Sequence, residues 1–268
     1  MAAAAGCHGV TAPRRGSGFP LSLEQVSRRP APRGAGPQRA QGPADAVAGG
    51  VGMDSAAVRA RMVQLLRAQG VRHAALLDAF QAVPRHRFVD TAFAAQAYED
   101  TSLPIGHEQT ISKPSVIARM IELLLEGEAA RSRGDLGRAL EIGTGCGYQC
   151  ALLAAMSSSV VSIERIRALF DRARENLHDL RLDRVRLVYG DGNSGHAPNA
   201  PYQSIIAAAV GAQVPPSWLE QLDIGGRLVA PVETAGGQML AVVDRGASGY
   251  KRSDHERVRF VPLKSGLD

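Results

Sequence analysis

The stretch RALEIGTGCGYQ, residues 138–149, decides the fold of this chain. A short apolar run, RALEI (138–142), stops at a turn holding Gly143, Gly145 and Gly147, and a helical pattern resumes from Tyr148. Glycine in such a turn lets the backbone take positive φ and lets a ligand approach closely. Three ligands compete for a glycine turn between a strand and its helix. A nucleoside triphosphate calls for GxxxxGK followed by Ser or Thr, and no lysine follows these glycines. A dinucleotide calls for GxGxxG, but here the third glycine arrives one residue early and Tyr148 takes its place. The spacing is GxGxG, after the acidic Glu141 near the strand end. Such a turn suits a ligand without pyrophosphate, because it does not aim a full helix N-terminus at two phosphates.

Downstream, the next strand-like run is VVSIE (160–164), whose final Glu164 lies 21 positions after Gly143. An acidic side chain there can accept both ribose hydroxyl hydrogens, which serves NAD and S-adenosylmethionine alike. The third run, VRLVYG (185–190), leads into GDG (190–192) and sets Asp191 at the same sheet edge, in reach of an adenine amino group. A small turn, a ribose acceptor and an adenine acceptor in successive βα units point to S-adenosylmethionine.

Four more strand-like runs follow: SIIAAAV (204–210), RLVAPV (227–232), MLAVVD (239–244) and VRFVPL (258–263). Helical patterns separate the early runs, IRALFDRARENLHDL (166–180) the clearest, PPSWLEQL precedes the fifth, and no helix separates the last two strands. Repeated βα units predict an α/β fold: a parallel sheet covered on both faces, with an antiparallel addition at one edge. Upstream, SAAVRARMVQLLRAQG and HAALLDAFQAV read as amphipathic helices, the second ended by Pro84. Ser112 and Pro114, in TISKPSVIARMIELLLE, mark the start of a longer helix.

Residues 1–52 are rich in Ala, Gly, Pro and Arg and carry no hydrophobic period, which predicts a disordered tail. The expected reading is a segment upstream of a true start at Met53, or a targeting role for an Arg-rich, acid-poor leader. The net charge of +5 is concentrated there. The tail has six Arg and no Lys against Glu24 and Asp45, leaving 25 basic and 24 acidic residues for the rest. That nearly neutral body gives no case for a nucleic-acid partner. No apolar run reaches the ~18 residues of a membrane-spanning helix. The three cysteines, Cys7, Cys146 and Cys150, form neither a disulfide framework nor a zinc-site spacing, and reduced thiols in a cytoplasmic enzyme are expected.

Seven blocks in order carry a resemblance: VPRHRFVD (83–90), AYEDTSLPIGHEQTIS (97–112), LEIGTGCGYQ (140–149), SIER (162–165), GDG (190–192), VPPSWLEQLDIGGRLVAPV (214–232) and VRFVPL (258–263). From about Met53 to its end, the chain resembles the bacterial protein-L-isoaspartate O-methyltransferases. IGHEQTIS is the most telling block, because S-adenosylmethionine enzymes in general do not share it. The resemblance implies a Rossmann-like seven-stranded methyltransferase sheet, mostly parallel with one antiparallel edge strand. It implies a domain over 53–268, with a helical substrate-side extension over 53–112 and the core over 113–268. The implied reaction moves a methyl group from S-adenosylmethionine to the free carboxylate of L-isoaspartyl residues in damaged proteins, starting their repair to aspartate. Ser112 is implied as the active-site serine. Gln109, Thr110, Ile111, Glu141, Gly143, Thr144, Gly145, Gly147, Glu164, Arg165, Asp191 and Gly192 are implied as cofactor-binding, and no metal, no nucleic acid and no membrane is expected; the sequence is silent on oligomeric state, with a monomer favoured.

The chemistry agrees with what the chain lacks. A carboxylate is ionised at neutral pH, its reference pKa lying near ~4, and needs no general base. Alignment of acceptor, methyl and leaving sulfur is the main task, one of proximity and orientation. Neither HxxxH nor GxSxG occurs.

Several residues keep two readings. Ser112 is a helix cap or a carboxylate-binding group; His107 is a packed loop histidine or a substrate contact. Cys146 reads as a small filler of the turn and Trp218 as core. NAPY (199–202) lies before its strand, at the edge opposite to catalysis. The chain departs from the resemblance at Gln203, where Asp is usual and an effect on stability is expected. Glu108 stands in place of a commoner Gly, and AAAVGAQVP replaces a shorter loop; both bear on substrate range. A same-fold methyltransferase of another carboxylic acid and a non-catalytic S-adenosylmethionine-binding module remain alternatives.

Overall fold

The structure, a computed structural model, describes residues 56–180 and 182–268. The expected tail over 1–52 and the start at Met53 lie outside the described residues.

Two helices open the described chain, α1 (Ala56–Ala68) and α2 (Ala74–Ala82). Short 3-10 turns follow at Arg85–Phe88 and Thr91–Gln96. The upstream extension is more than helical. It ends in an antiparallel hairpin, β1 (Leu103–Gly106) and β2 (Gln109–Ile111), which pairs Leu103 with Ile111. Its two-residue loop places His107 at φ 51° and Glu108 at φ 58°. Positive φ at both central positions is the geometry whose twist matches the flanking strands. α3 (Pro114–Leu125) follows directly, with Pro114 in its first turn, where a missing N–H costs nothing.

The sheet begins after α4 (Glu128–Arg133), with β3 (Arg138–Ile142), α5 (Tyr148–Ala154), β4 (Ser159–Glu164), α6 (Arg167–His178) and β5 (Val185–Tyr189). Then come β6 (Tyr202–Ala207), α7 (Pro216–Gln221), β7 (Leu222–Thr234), β8 (Gly237–Gly246) and β9 (Gly249–Arg257). The order across the sheet is β5-β4-β3-β6-β7-β8-β9. β5 through β7 are parallel, and β8 runs against both β7 and β9. The expected α/β sheet with an antiparallel addition at one edge is therefore present.

One strand lies elsewhere than expected. The seventh strand is Gly249–Arg257, not VRFVPL (258–263). GYKRSDHER has no apolar run, and all of it is exposed except half-buried His255. Backbone pairing to β8 builds this strand, and its charges are typical of a protected sheet edge. The apolar run instead crosses the carboxyl ends of the strands. There the Val210 amide donates to the Val261 carbonyl at 2.8 Å, and the Leu263 amide to the Val210 carbonyl at 2.7 Å.

Side chains on β3 alternate between two cores, as a pleated strand requires. Ala139 joins the core built with α1, α2, α3 and α5, while Leu140 and Ile142 join the core with Trp218 on the opposite face. Leu66, Leu76, Phe80 and Phe88 of the extension are fully buried in the first core. Truncating such a phenylalanine to Ala costs ~3–5 kcal/mol, so the extension is tied to the sheet. Gln203 bridges the amino-terminal edge: its Oε1 accepts from the Arg138 amide at 2.8 Å and its Nε2 donates to Asp223 at 2.6 Å. That is the structural role expected for it.

Candidate active site

Strand order reverses between β3 and β6, and ligands of open α/β sheets bind outside the carboxyl ends at such a switch point. A cleft opens there. Gly143, Thr144 and Gly145 form one wall, Glu164 and Arg165 another, and Gly192 and Ala208 close the floor. Gln109, Thr110, Ile111 and Ser112 face them from the hairpin side. The structure thus brings together ten of the expected site residues from four separate segments.

The glycine turn is held by the neighbouring strand. The amides of Gly143 and Thr144 donate to the Ile163 carbonyl at 2.9 and 3.1 Å. Glu164 turns its carboxylate back onto the same turn, accepting from the Gly145 amide at 2.8 Å and the Ile166 amide at 2.9 Å. Each oxygen keeps a second lone pair for a ligand hydroxyl. Burial raises the Glu164 carboxyl above its ordinary value, against those amides and Arg165, which lower it.

Three expected residues do not line the cleft. Glu141 points to the sheet face under α5 and is fully buried, because side chains alternate along β3. The Ser162 hydroxyl donates to its Oε2 at 2.5 Å and lies 2.6 Å from the Thr144 hydroxyl. Burial pushes the Glu141 carboxyl up to about 8, so it is neutral at pH 7 and supports the turn through Ser162. Gly147 caps α5 at φ 94°, and a Cβ there would stand 3.1 Å from Leu177. It serves helix packing. Asp191 accepts from the amides of Asn193 at 2.8 Å and Gly266 at 2.7 Å. Burial raises its carboxyl, but those amides outweigh burial and hold it below the ordinary value. Its carboxylate braces the third turn and the C-terminal segment beside the cleft.

Ser112 is half-buried on the cleft wall. It is not a helix cap: the capping position of α3 is Lys113, and Asp100 accepts from the Ser115 amide at 2.9 Å. His107 sits exposed at the hairpin tip and does not line the cleft. Cys146 is buried on the wall, and burial pushes its thiol up, which leaves it an inert filler. Trp218 is core, and its indole N–H donates to the Gly192 carbonyl at 2.8 Å, fixing the floor.

Sequence reasoning missed part of the wall. Val261, Pro262, Leu263 and Lys264 line the cleft, although their run resembled a strand. Tyr148 and Gln149 line it from the first turn of α5. Fully buried Arg85 also carried no motif signal beyond its place in VPRHRFVD.

The donor set fits S-adenosylmethionine. A carboxylate at the end of β4 matches ribose hydroxyls, and Ile142, Ile163 and Leu169 supply apolar walls for a base. Among the described residues no group of three or more His, Cys, Asp or Glu is placed to hold a metal ion. No described helix is long and apolar enough to cross a membrane.

Fold and cleft together define a Rossmann-like, S-adenosylmethionine-dependent methyltransferase. The family profile described as protein-L-isoaspartate(D-aspartate) O-methyltransferase matches residues 57–268. The protein-L-isoaspartate O-methyltransferase of Methylibium petroleiphilum is 59% identical over 264 residues, covering 93% of this chain and 96% of the relative. That of Leptothrix cholodnii is 54% identical, covering 95% of each. A solved protein-L-isoaspartate O-methyltransferase superposes with a TM-score of 0.68 at 26% identity, covering 78% of this chain and 67% of that one. A Plasmodium falciparum structure of a protein so described, in complex with S-adenosyl-L-homocysteine, superposes at 0.63 and 22% identity, covering 76% and 97%. The chain belongs to the protein-L-isoaspartate O-methyltransferase family, and it is an enzyme that methylates protein isoaspartate for repair.

Proposed function

We propose that Ser112 receives the free carboxylate of an L-isoaspartyl residue and holds it in line for methyl transfer. The observation that carries this reading is the convergence of Ser112 with the glycine turn and Glu164 on one cleft. S-adenosylmethionine supplies an electrophilic methyl group on a sulfonium sulfur. Glu164 would hold the cofactor by accepting its ribose hydroxyls, and the turn of Gly143 to Gly145, without bulky side chains at either end, would admit it to the cleft. The Ser112 hydroxyl donates to one carboxylate oxygen and leaves the other free to react. No proton is removed, since the carboxylate is ionised at neutral pH. Val261 and Leu263 line the same cleft and would keep water from the reacting atoms. The rate gain comes from alignment, for which a misplacement of ~1 Å costs on the order of a hundredfold.

The finer assignments follow the same reading. The active chain is a monomer acting in the cytoplasm without nucleic acid, and residues 53–268 carry the activity, with 53–112 on the substrate side. Buried free thiols at Cys146 and Cys150 support a reducing compartment. A chain beginning at Met53 should keep full activity and thermal midpoint.

The deciding assay is methyl transfer to paired peptides that differ only in Asp versus isoaspartate. Labelling of the isoaspartyl peptide alone is expected. Equal labelling would assign another carboxylic acid substrate, and none at all a non-catalytic module.

A further inference from the structure

Two arginines grip main-chain carbonyls on the hairpin side of the cleft: Arg85 that of Ser112 itself, and Arg172 that of Ile105 on β1. Arg85 is fully buried, yet among the described residues it makes no ion pair. Its Nε donates to the Ala97 carbonyl at 2.8 Å, and its Nη2 to the Ser112 carbonyl at 2.8 Å and, at 3.4 Å, to that of Thr101. Its guanidinium carbon lies 4.8 Å from the ring centroid of Tyr148, which lines the cleft directly after the glycine turn. One rigid fork therefore joins the Ser112 segment to both the extension and the cofactor wall. Arg172, on α6, reaches the other side of the hairpin and donates to the Ile105 carbonyl at 3.0 Å. Ile105 is itself on the cleft wall.

A buried cation without a carboxylate partner is a costly way to stabilise a fold, and an apolar residue usually serves better. What a guanidinium adds is several donors in fixed planar geometry, which a lysine cannot reproduce. Carbonyl oxygens held this way set the height and rotation of the acceptor segment whatever the side chains on it. Reaction by alignment alone depends on that setting more than on any acid or base.

We infer that Arg85 and Arg172 are positioning residues for methyl transfer, a clamp on main-chain carbonyls that aligns Ser112 with the cofactor wall. The inference rests on the assignment of Ser112 made above.

The test uses Arg85→Lys and Arg172→Gln, with kcat and KM for an isoaspartyl peptide and the Kd of S-adenosylhomocysteine measured for each. Expected is a fall in kcat of about 30-fold or more for Arg85→Lys and about 5-fold for Arg172→Gln, with Kd changed less than about threefold. A merely structural role would lower the folded fraction and leave kcat per cofactor-binding molecule within about twofold of the parent. That result in both variants overturns the clamp, and in one of them overturns that arginine's part. If Arg85→Lys binds no S-adenosylhomocysteine, the half-exposed Arg172→Gln decides alone. Ser112→Asp, assayed beside them, separates the two ideas. Parent-like activity there removes the role of Ser112, whereas loss there with parent-like arginine variants removes only the clamp.

Discussion

The two walls of the cleft are held in opposite ways. On the cofactor wall, contacts are local in the topology: the glycine turn bonds to β4, and Glu164 bonds back to Gly145. On the acceptor wall, the hairpin and Ser112 depend on residues brought from far away, Arg85 from 27 positions upstream and Arg172 from 67 positions beyond Ile105. The first wall is a motif that carries its own geometry. The second is an assembly, in which each part is unremarkable until the others arrive.

The largest expected effect breaks the acceptor wall and leaves the other intact. Ser112→Asp should keep its fold, because Ser112 does not cap α3, and its charge should repel the substrate carboxylate. Methyl transfer should fall by about a hundredfold or more while S-adenosylhomocysteine still binds; activity near the parent rate would show that the hydroxyl does not meet the acceptor.

The converse experiment breaks the cofactor wall. Glu164→Ala removes the carboxylate proposed to accept the ribose hydroxyls, and charge-assisted bonds are worth ~1.5–3 kcal/mol each, so affinity for S-adenosylmethionine should fall at least about tenfold. Titration calorimetry with an unchanged Kd would refute the assignment.

A smaller effect tests the hairpin itself. Glu108 sits at φ 58°, a conformation that costs a side chain ~1 kcal/mol and costs glycine almost nothing. Glu108→Gly should raise the thermal midpoint by ~2–4 °C. A lowered midpoint would mean that the carboxylate makes a compensating contact.

The smallest expected effect on binding is at Glu141, and it sharpens the contrast with Glu164. Neutral at pH 7, Glu141 should tolerate Gln with cofactor affinity changed less than about threefold. The pH dependence should change instead. Between pH 4.5 and about 8 the native carboxyl keeps a proton that the unfolded chain has lost, so this group lowers stability as pH rises through that window. Denaturant midpoints of Glu141→Gln should lack that component, and an unchanged pH slope would place the ionised form in the native protein.

Much of the cofactor wall was legible in the primary structure. GxGxG after RALEI, Glu164 at the end of the next strand and the glycines of GDG all fall where βα connections place them, and period-2 patterning locates most of the sheet. The same patterning misplaced the last strand, because β9 is built from backbone pairing and presents charge, while VRFVPL sets Val258 and Phe260 against the first core and Val261 to Leu263 on the cleft. It also counted Glu141 as a ligand contact, since a strand-end acid reads alike whether it faces the ligand or the adjoining helix.

The sequence by itself determined the class of fold, the glycine turn, an acidic residue at the end of the next strand and the family, because these rest on short-range periodicity and on spacings within one βα unit. Only the tertiary structure decided that Ser112 lies on the cleft without capping its helix, that Asp191 braces a turn, and that Arg85 and Arg172 donate to the carbonyls of Ser112 and Ile105. The physical reason is that a hydrogen bond from a side chain to a distant carbonyl depends on where the chain returns in space. No local pattern records the identity of a residue whose main chain alone is bound.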